Sequence, residues 1–111
     1  MVNAPKQGDI IWADLNPKKG HEQKGFRPLL VISNDIVARF TNVVTVAPIS
    51  TTQRRLPLYK DLPKELTTQG TVLLDQIATI DYTARNAEIR ERVPDEFLDE
   101  VLDIARRIFT K

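Results

Sequence analysis

Residues 20–33 read GHEQKGFRPLLVIS. The first nine residues, GHEQKGFRP, hold two glycines, the only histidine of the chain, a carboxylate, an amide, a lysine and an arginine. The second half, RPLLVIS (27–33), is almost unbroken apolar sequence. A short continuous apolar run next to turn residues reads as a strand buried on both faces. A strand of that kind needs partners on either side, and the neighbouring sequence supplies them. DIIWADL (9–15) is short and rich in β-formers, bounded by Gly8 and by Asn16-Pro17. NVVTVAPIS (42–50) is β-branched, TVLLDQI (71–77) follows Gly70, and NAEIRERV (86–93) alternates as an outer strand does. Asp35 to Phe40 has the length of a helical turn or two.

The end of the chain has another period. In PDEFLDEVLDIARRIF (94–109), Phe97, Val101, Ala105 and Ile108 recur at spacings of three and four, flanked by Leu98, Leu102 and Phe109. That is a wide apolar helical stripe. Pro94 suits the first turn of a helix. Asp95 and Glu96 complement the positive N-terminal end of its dipole, and Arg106, Arg107 and Lys111 the negative end. Short strands followed by one amphipathic helix predict a mainly β domain, a small barrel closed by the C-terminal helix. The 111 residues suit one domain, 1–111, with no internal repeat or linker.

Composition narrows the chemistry. The chain has no cysteine, which removes disulfides, thiolate metal sites and cysteine nucleophiles. With one histidine, a pair of histidines cannot serve as acid and base, and a multi-histidine metal site cannot be built. No stretch approaches the roughly 20 apolar residues of a membrane span. The start, MVNAPKQGD, lacks a signal-peptide apolar region. The expectation is a soluble, cytoplasmic protein that does not engage membranes. Net charge is only +1, but its distribution is uneven. Lys18, Lys19, Lys24, Arg27, Arg39, Arg54, Arg55 and Lys60 face only Glu22 and Asp35 in the same span. Glu88, Glu91, Asp95, Glu96, Asp99, Glu100 and Asp103 gather toward the end. A basic first half suits a polyanionic partner.

Four places carry candidate chemistry. The connection from Asn16 to Gly25 is far longer than the two to five residues that close a hairpin, a length associated with functional loops. Arg27 stands at its root, and Pro28 biases its backbone toward extended conformations. Its planar fork of donors suits phosphate, or a pair with Glu22. PISTTQ (48–53) places the hydroxyls of Ser50, Thr51 and Thr52 directly after a strand, where they either cap a turn or donate to phosphate oxygens. LLDQI (73–77) sets Asp75 and Gln76 within an apolar run, where a carboxylate must be paired, at a strand end, or in use. His21 is the one side chain whose ordinary pKa lies near neutrality.

The order GDIIWADLNP, GHEQKGFRPLLVIS, VAPIST, LLDQI and a C-terminal amphipathic helix resembles the MazF/PemK (Kid) family, the toxin halves of bacterial type II toxin–antitoxin pairs. The resemblance runs from about Gly8 to Phe109. It implies an SH3-like β-barrel with a terminal helix and a homodimer. It also implies a sequence-selective endoribonuclease that cuts single-stranded RNA without metal or cofactor. In such chemistry the ribose 2′-hydroxyl attacks its own 3′-phosphate, leaving a 2′,3′-cyclic phosphate and a 5′-hydroxyl. A disordered antitoxin segment is expected to fold over the active groove.

The resemblance also assigns roles. Arg27 matches the family's arginine before proline and is expected to stabilise the phosphate. Ser50 falls where many members carry a catalytic threonine, with Thr51 next in line. His21 and Asp75 match acid–base positions of the PemK/Kid branch. That branch has an arginine two residues before the aspartate, where this chain has Leu73. Lys19, Glu22, Gln23, Lys24, Thr52 and Gln76 are the expected RNA-binding side chains. No metal ligands are expected. Two other readings use the same scaffold: a CcdB-like toxin directed at gyrase, and a non-catalytic SH3-like binding module.

Overall fold

The computed structural model describes residues 3–15, 25–52 and 55–111. Along the chain come β1 (Asp9–Asp14), β2 (Phe26–Val31), α1 (Asp35–Phe40), β3 (Val43–Ser50), β4 (Tyr59–Asp61), β5 (Thr71–Leu73), β6 (Ala78–Asp81), β7 (Glu88–Arg92) and α2 (Asp95–Ile108). All strand pairs are antiparallel, in the order β4-β5-β3-β2-β1-β7, with β6 added to β3.

The strand read from PLLVIS sits in the middle of this sheet. Leu29, Leu30, Val31 and Ile32 are all buried, and they divide between two cores. Leu30 and Ile32 face one core with Ile10, Ala47, Ile49, Val72 and Leu74. Leu29 and Val31 face the other with Ile11, Ala13, Val44, Val46 and Ile80. Successive side chains on a strand point to opposite faces, so an all-apolar strand must be covered twice. β6, Tyr82 and Ala38 of α1 help to cover one side, and α2 covers the other.

α2 behaves largely as its periodicity predicts. Phe97, Leu98, Val101 and Ala105 are buried, each large side chain contributing about 1.5–3 kcal/mol on transfer from water. Pro94 takes the N-cap rather than the first helical turn, with extended φ −62° and ψ 149°. The stripe fades in the last turn, where Ile108 is 37% and Phe109 74% exposed. Asp103 pairs there with Arg106 and Arg107, at 3.7 and 2.7 Å.

The mainly β class with a C-terminal helix is as expected, and the manner of closure is specific. The hydrogen-bonded path has two ends, β4 and β7, and does not return on itself among the described residues. α2 spans the two arms instead. Its apolar face shares a core with Leu62 and Val72 on the β4–β5 side and with Val93 after β7. Lys60 of β4 also reaches Glu100 of α2 at 3.0 Å. β3 is long enough to take two further partners, pairing β6 along Val43–Val46 and β5 at Ile49–Ser50.

Two strands escape the sequence reading. β4 has three residues and β6 has four, and only Ile80 of β6 is buried, so neither shows a usable period. The run TVLLDQI is not one strand either. It stops at Leu73 and turns through Asp75, with the Gln76 N–H donating to Leu73 O at 3.2 Å.

Gly70 makes a contact that no other residue type could accommodate. Its φ is +134°, and a Cβ there would lie 2.7 Å from the backbone oxygen of Ser50. Both the strained backbone and the clash oppose a side chain. Gly70→Ala is expected to cost at least about 1–3 kcal/mol. Thermal unfolding followed by circular dichroism should show the midpoint falling by several degrees; an unchanged midpoint would remove Gly70 from this role.

Candidate active-site groove

β2 and β3 pair from Val31↔Val46 to Leu29↔Pro48, and there the ladder stops. Pro28 and Pro48 flank the stopping point, and neither has an N–H to donate. β2 meanwhile stays paired to β1 through Arg27 and Phe26. The two central strands therefore part at this end. A groove of about 660 Å³ opens between them, lined by Arg27, Pro28, Pro48, Ile49 and Ser50. Arg27 and Ser50 each lie two residues past the last pair, Leu29↔Pro48, and both line this groove.

Thr51, Thr52 and Gln76 line the same groove. Its far wall is the turn Thr67–Gln69, and Trp12 and Phe26 stand at its rim. Arg27, Thr51, Thr52 and Gln76 are exposed and Ser50 is half-buried. The Ser50 Oγ accepts the Thr52 N–H at 3.1 Å. Its own proton remains available to a ligand oxygen. Both functions foreseen for these hydroxyls, a turn cap and a phosphate donor, can thus coexist.

Asp75 is placed differently. It sits exposed on the turn after β5 and accepts the Tyr59 hydroxyl at 3.2 Å. It does not line the groove that Gln76 lines. Lys19, His21, Glu22, Gln23 and Lys24 fall outside the described residues. The base of their loop is anchored, however: Arg85 Nη1 donates to the Asp14 and Leu15 carbonyls at 3.3 and 2.9 Å, and Leu15 N–H to Gly25 O at 2.8 Å. Among the described residues, no three His, Cys, Asp or Glu side chains gather as a metal site would require.

The wall Thr67–Gln69 was not foreseen. Nothing local in the sequence shows that Thr67–Gln69 comes to the same groove as Thr51 and Thr52. Glu91 of β7 holds this wall by accepting the backbone N–H of Thr67 at 3.0 Å and that of Thr68. Burial pushes the Glu91 carboxyl up, but the Thr68 hydroxyl and the two backbone donors outweigh it and hold it below the ordinary 4.5.

A group with a depressed folded-state pKa stabilises the fold above its unfolded value, and that contribution is lost as pH falls through the folded value. Glu91→Gln should therefore be less stable than the wild type at neutral pH. The gap should narrow below pH 4.5. Denaturant unfolding of both proteins at pH 7 and pH 3 measures it; a gap equal at both pH values would contradict the assignment.

The sequence from residue 6 to 109 matches the family model of the PemK-like, MazF-like toxin of type II toxin-antitoxin systems. The chain is 38% identical over 101 residues to Endoribonuclease EndoA of Bacillus subtilis (strain 168), covering 86% of each. It is 34% identical over 109 residues to Endoribonuclease PemK of Escherichia coli, covering 95% of this chain and 82% of that protein. The fold superposes on the crystal structure of MazE-MazF (Form-II) from Deinococcus radiodurans with a TM-score of 0.83 at 25% identity, covering 96% of both chains. With the proline-opened groove and its arginine and hydroxyls, this match over nearly the whole length settles the family: the chain belongs to the PemK-like, MazF-like toxins of type II toxin–antitoxin systems.

Proposed function

We propose that this chain, acting as one domain over residues 1–111, is an endoribonuclease that cleaves single-stranded RNA as the toxin of a type II toxin–antitoxin pair. The observation that carries the reading is the meeting of Arg27 with Ser50 in an open groove where β2 and β3 part. An arginine beside hydroxyls in a surface groove suits the phosphates of a nucleic-acid strand. Relatives named endoribonucleases support the activity, and a related toxin crystallised with its antitoxin supports the partner.

The reaction is an intramolecular transfer. A base takes the proton of the ribose 2′-hydroxyl, the 2′-oxygen bonds to phosphorus, and the bond to the 5′-oxygen breaks. That oxygen receives a proton from an acid. The products are a 2′,3′-cyclic phosphate and a 5′-hydroxyl. Negative charge builds on the phosphoryl oxygens, and Arg27 and the Ser50 hydroxyl donate to them, with Thr51 beside. No metal or cofactor is required by these steps. Since Leu73 stands where the PemK/Kid branch has an arginine, Arg27 supplies the cationic help in the groove. His21, Glu22 and Asp75 are the candidates for the base, and His21 and Asp75 match acid–base positions of the PemK/Kid branch. Asp75 stands next to Gln76 of the groove without lining it. Gln76 and Thr52 contact bases, and Lys19, Glu22, Gln23 and Lys24 are the further RNA-binding side chains.

No described helix is long and apolar enough to cross a membrane. The RNA substrate places the toxin in the cytoplasm. The toxin is a homodimer, and a disordered antitoxin segment folds over its active groove.

The test is cleavage of a defined long RNA in EDTA with mapping of both new ends. Cuts at a short motif that leave 5′-hydroxyls are expected. Arg27→Ala should slow cleavage by roughly 10²–10³-fold, the effect of removing a donor to developing charge. Arg27 is exposed, so its melting temperature should stay near wild type. Wild-type cleavage rates in Arg27→Ala would overturn the active-site assignment.

A further inference from the structure

Beside the groove lies a stack that the phosphate chemistry does not use. The Trp12 and Phe26 rings are 6.1 Å apart, tilted by 37°. The Arg90 guanidinium lies over both, its Cζ 5.2 Å from the Trp12 ring centre and 5.7 Å from that of Phe26. Register explains the assembly. Trp12 is opposite Glu88 on β7, and Asp14 is opposite Phe26 on β2. Residues two apart share a face, so Trp12, Phe26 and Glu88 emerge together. Arg90 is the extra residue of β7 where the β1–β7 register shifts between Ile10 and Ile11, and that irregularity leaves its guanidinium over the two rings.

Glu88 fixes the guanidinium from its edge, accepting Nε at 3.1 Å and Nη2 at 2.8 Å. The result is a flat cationic plate with rings beneath, a carboxylate at one edge and, among the described residues, no other hydrogen-bond partner. The Arg90 side chain is 46% exposed. An arginine that served only to balance Glu88 in water would gain little from one fixed geometry. Here three groups hold one plane next to the groove whose rim Trp12 and Phe26 form. Unpaired bases stack on aromatic rings and on guanidinium planes alike.

We infer that Arg90, backed by Trp12 and Phe26, is a nucleobase platform. A base neighbouring the scissile phosphate stacks on the open face of the guanidinium while Arg27 and Ser50 hold the phosphate. Stacking strength, rather than a hydrogen-bond pattern, sets the preference at this position, and purines are favoured. The inference rests on the nucleic-acid-binding part of the function proposed above.

Trp12 is the only tryptophan, so its fluorescence reports directly on the platform. The probe is mixed-sequence single-stranded DNA, which lacks the 2′-hydroxyl and is not cut. Wild-type protein should show a saturable change in emission. Arg90→Ala should raise Kd roughly 5- to 50-fold, as loss of one stacking partner does. Arg90→Lys keeps the charge without the plane and should bind no better than Arg90→Ala. A strand of the same length with abasic sites keeps its phosphates and should give a much weaker response.

Wild-type affinity in Arg90→Lys, or an equal response to the abasic strand, would reduce Arg90 to a simple charge and overturn the platform. RNA cleavage by the wild type, read in parallel, separates the two claims. Cleavage with a Kd insensitive to Arg90 overturns the platform alone. Arg90-dependent binding without cleavage supports the platform and overturns the ribonuclease. Absence of both overturns both.

Discussion

Two prolines govern the geometry of this protein's groove. The central strands β2 and β3 are bound tightly where Val31, Leu30 and Leu29 face Val46, Ala47 and Pro48. At that last pair and just past it, Pro48 and Pro28 cannot supply ladder donors, and the ladder ends. Burial on both faces holds the paired part rigid, with Leu29, Leu30 and Val31 at 2% exposure or less. Rigidity up to the break and freedom beyond it give a fixed floor with an open mouth. The same β2 backbone stays tied to β1 through Arg27, so the arginine is presented at the mouth without being loosened.

The walls of the groove depend on distant anchors. Glu91 pins the turn Thr67–Gln69 from β7, and Gly70 lets the start of β5 approach the Ser50 carbonyl closely. α2 then fastens the β4–β5 arm to the β7 side through shared apolar packing. A groove assembled from both arms of an open sheet needs such a clasp, because the hydrogen-bonded ladder does not encircle it. This ties the stability of the helix to the shape of a site it does not line.

The sequence made the central strands and α2 legible because their signals are local. Leu29 to Ile32 are apolar without interruption, and Phe97, Leu98, Val101 and Ala105 share one helical stripe. Arg27, Ser50, Thr51, Thr52 and Gln76 could be nominated from residue chemistry, and the structure gathers all five along one groove. Relations between distant segments were not legible. Nothing near Asp75 announces Tyr59, and nothing near Thr67 announces Glu91. β4 and β6 were missed because strands of three and four residues, with only Ile80 buried between them, carry no periodic signal. The roles of Pro28 and Pro48 were hidden as well, since a proline opens a ladder only with respect to a partner strand that the sequence does not identify.

The central claim is that a nucleic-acid phosphate sits between Arg27 and Ser50. Its most direct test is a 1H–15N NMR titration with an uncleavable single-stranded oligonucleotide, following the Arg27 Nε–H and the backbone amides. The account predicts the largest shifts at Arg27 Nε–H, Ser50–Thr52 and Thr67–Gln69, with α2 nearly silent. An unmoved Arg27 with shifts centred on α2 or β6 would contradict it.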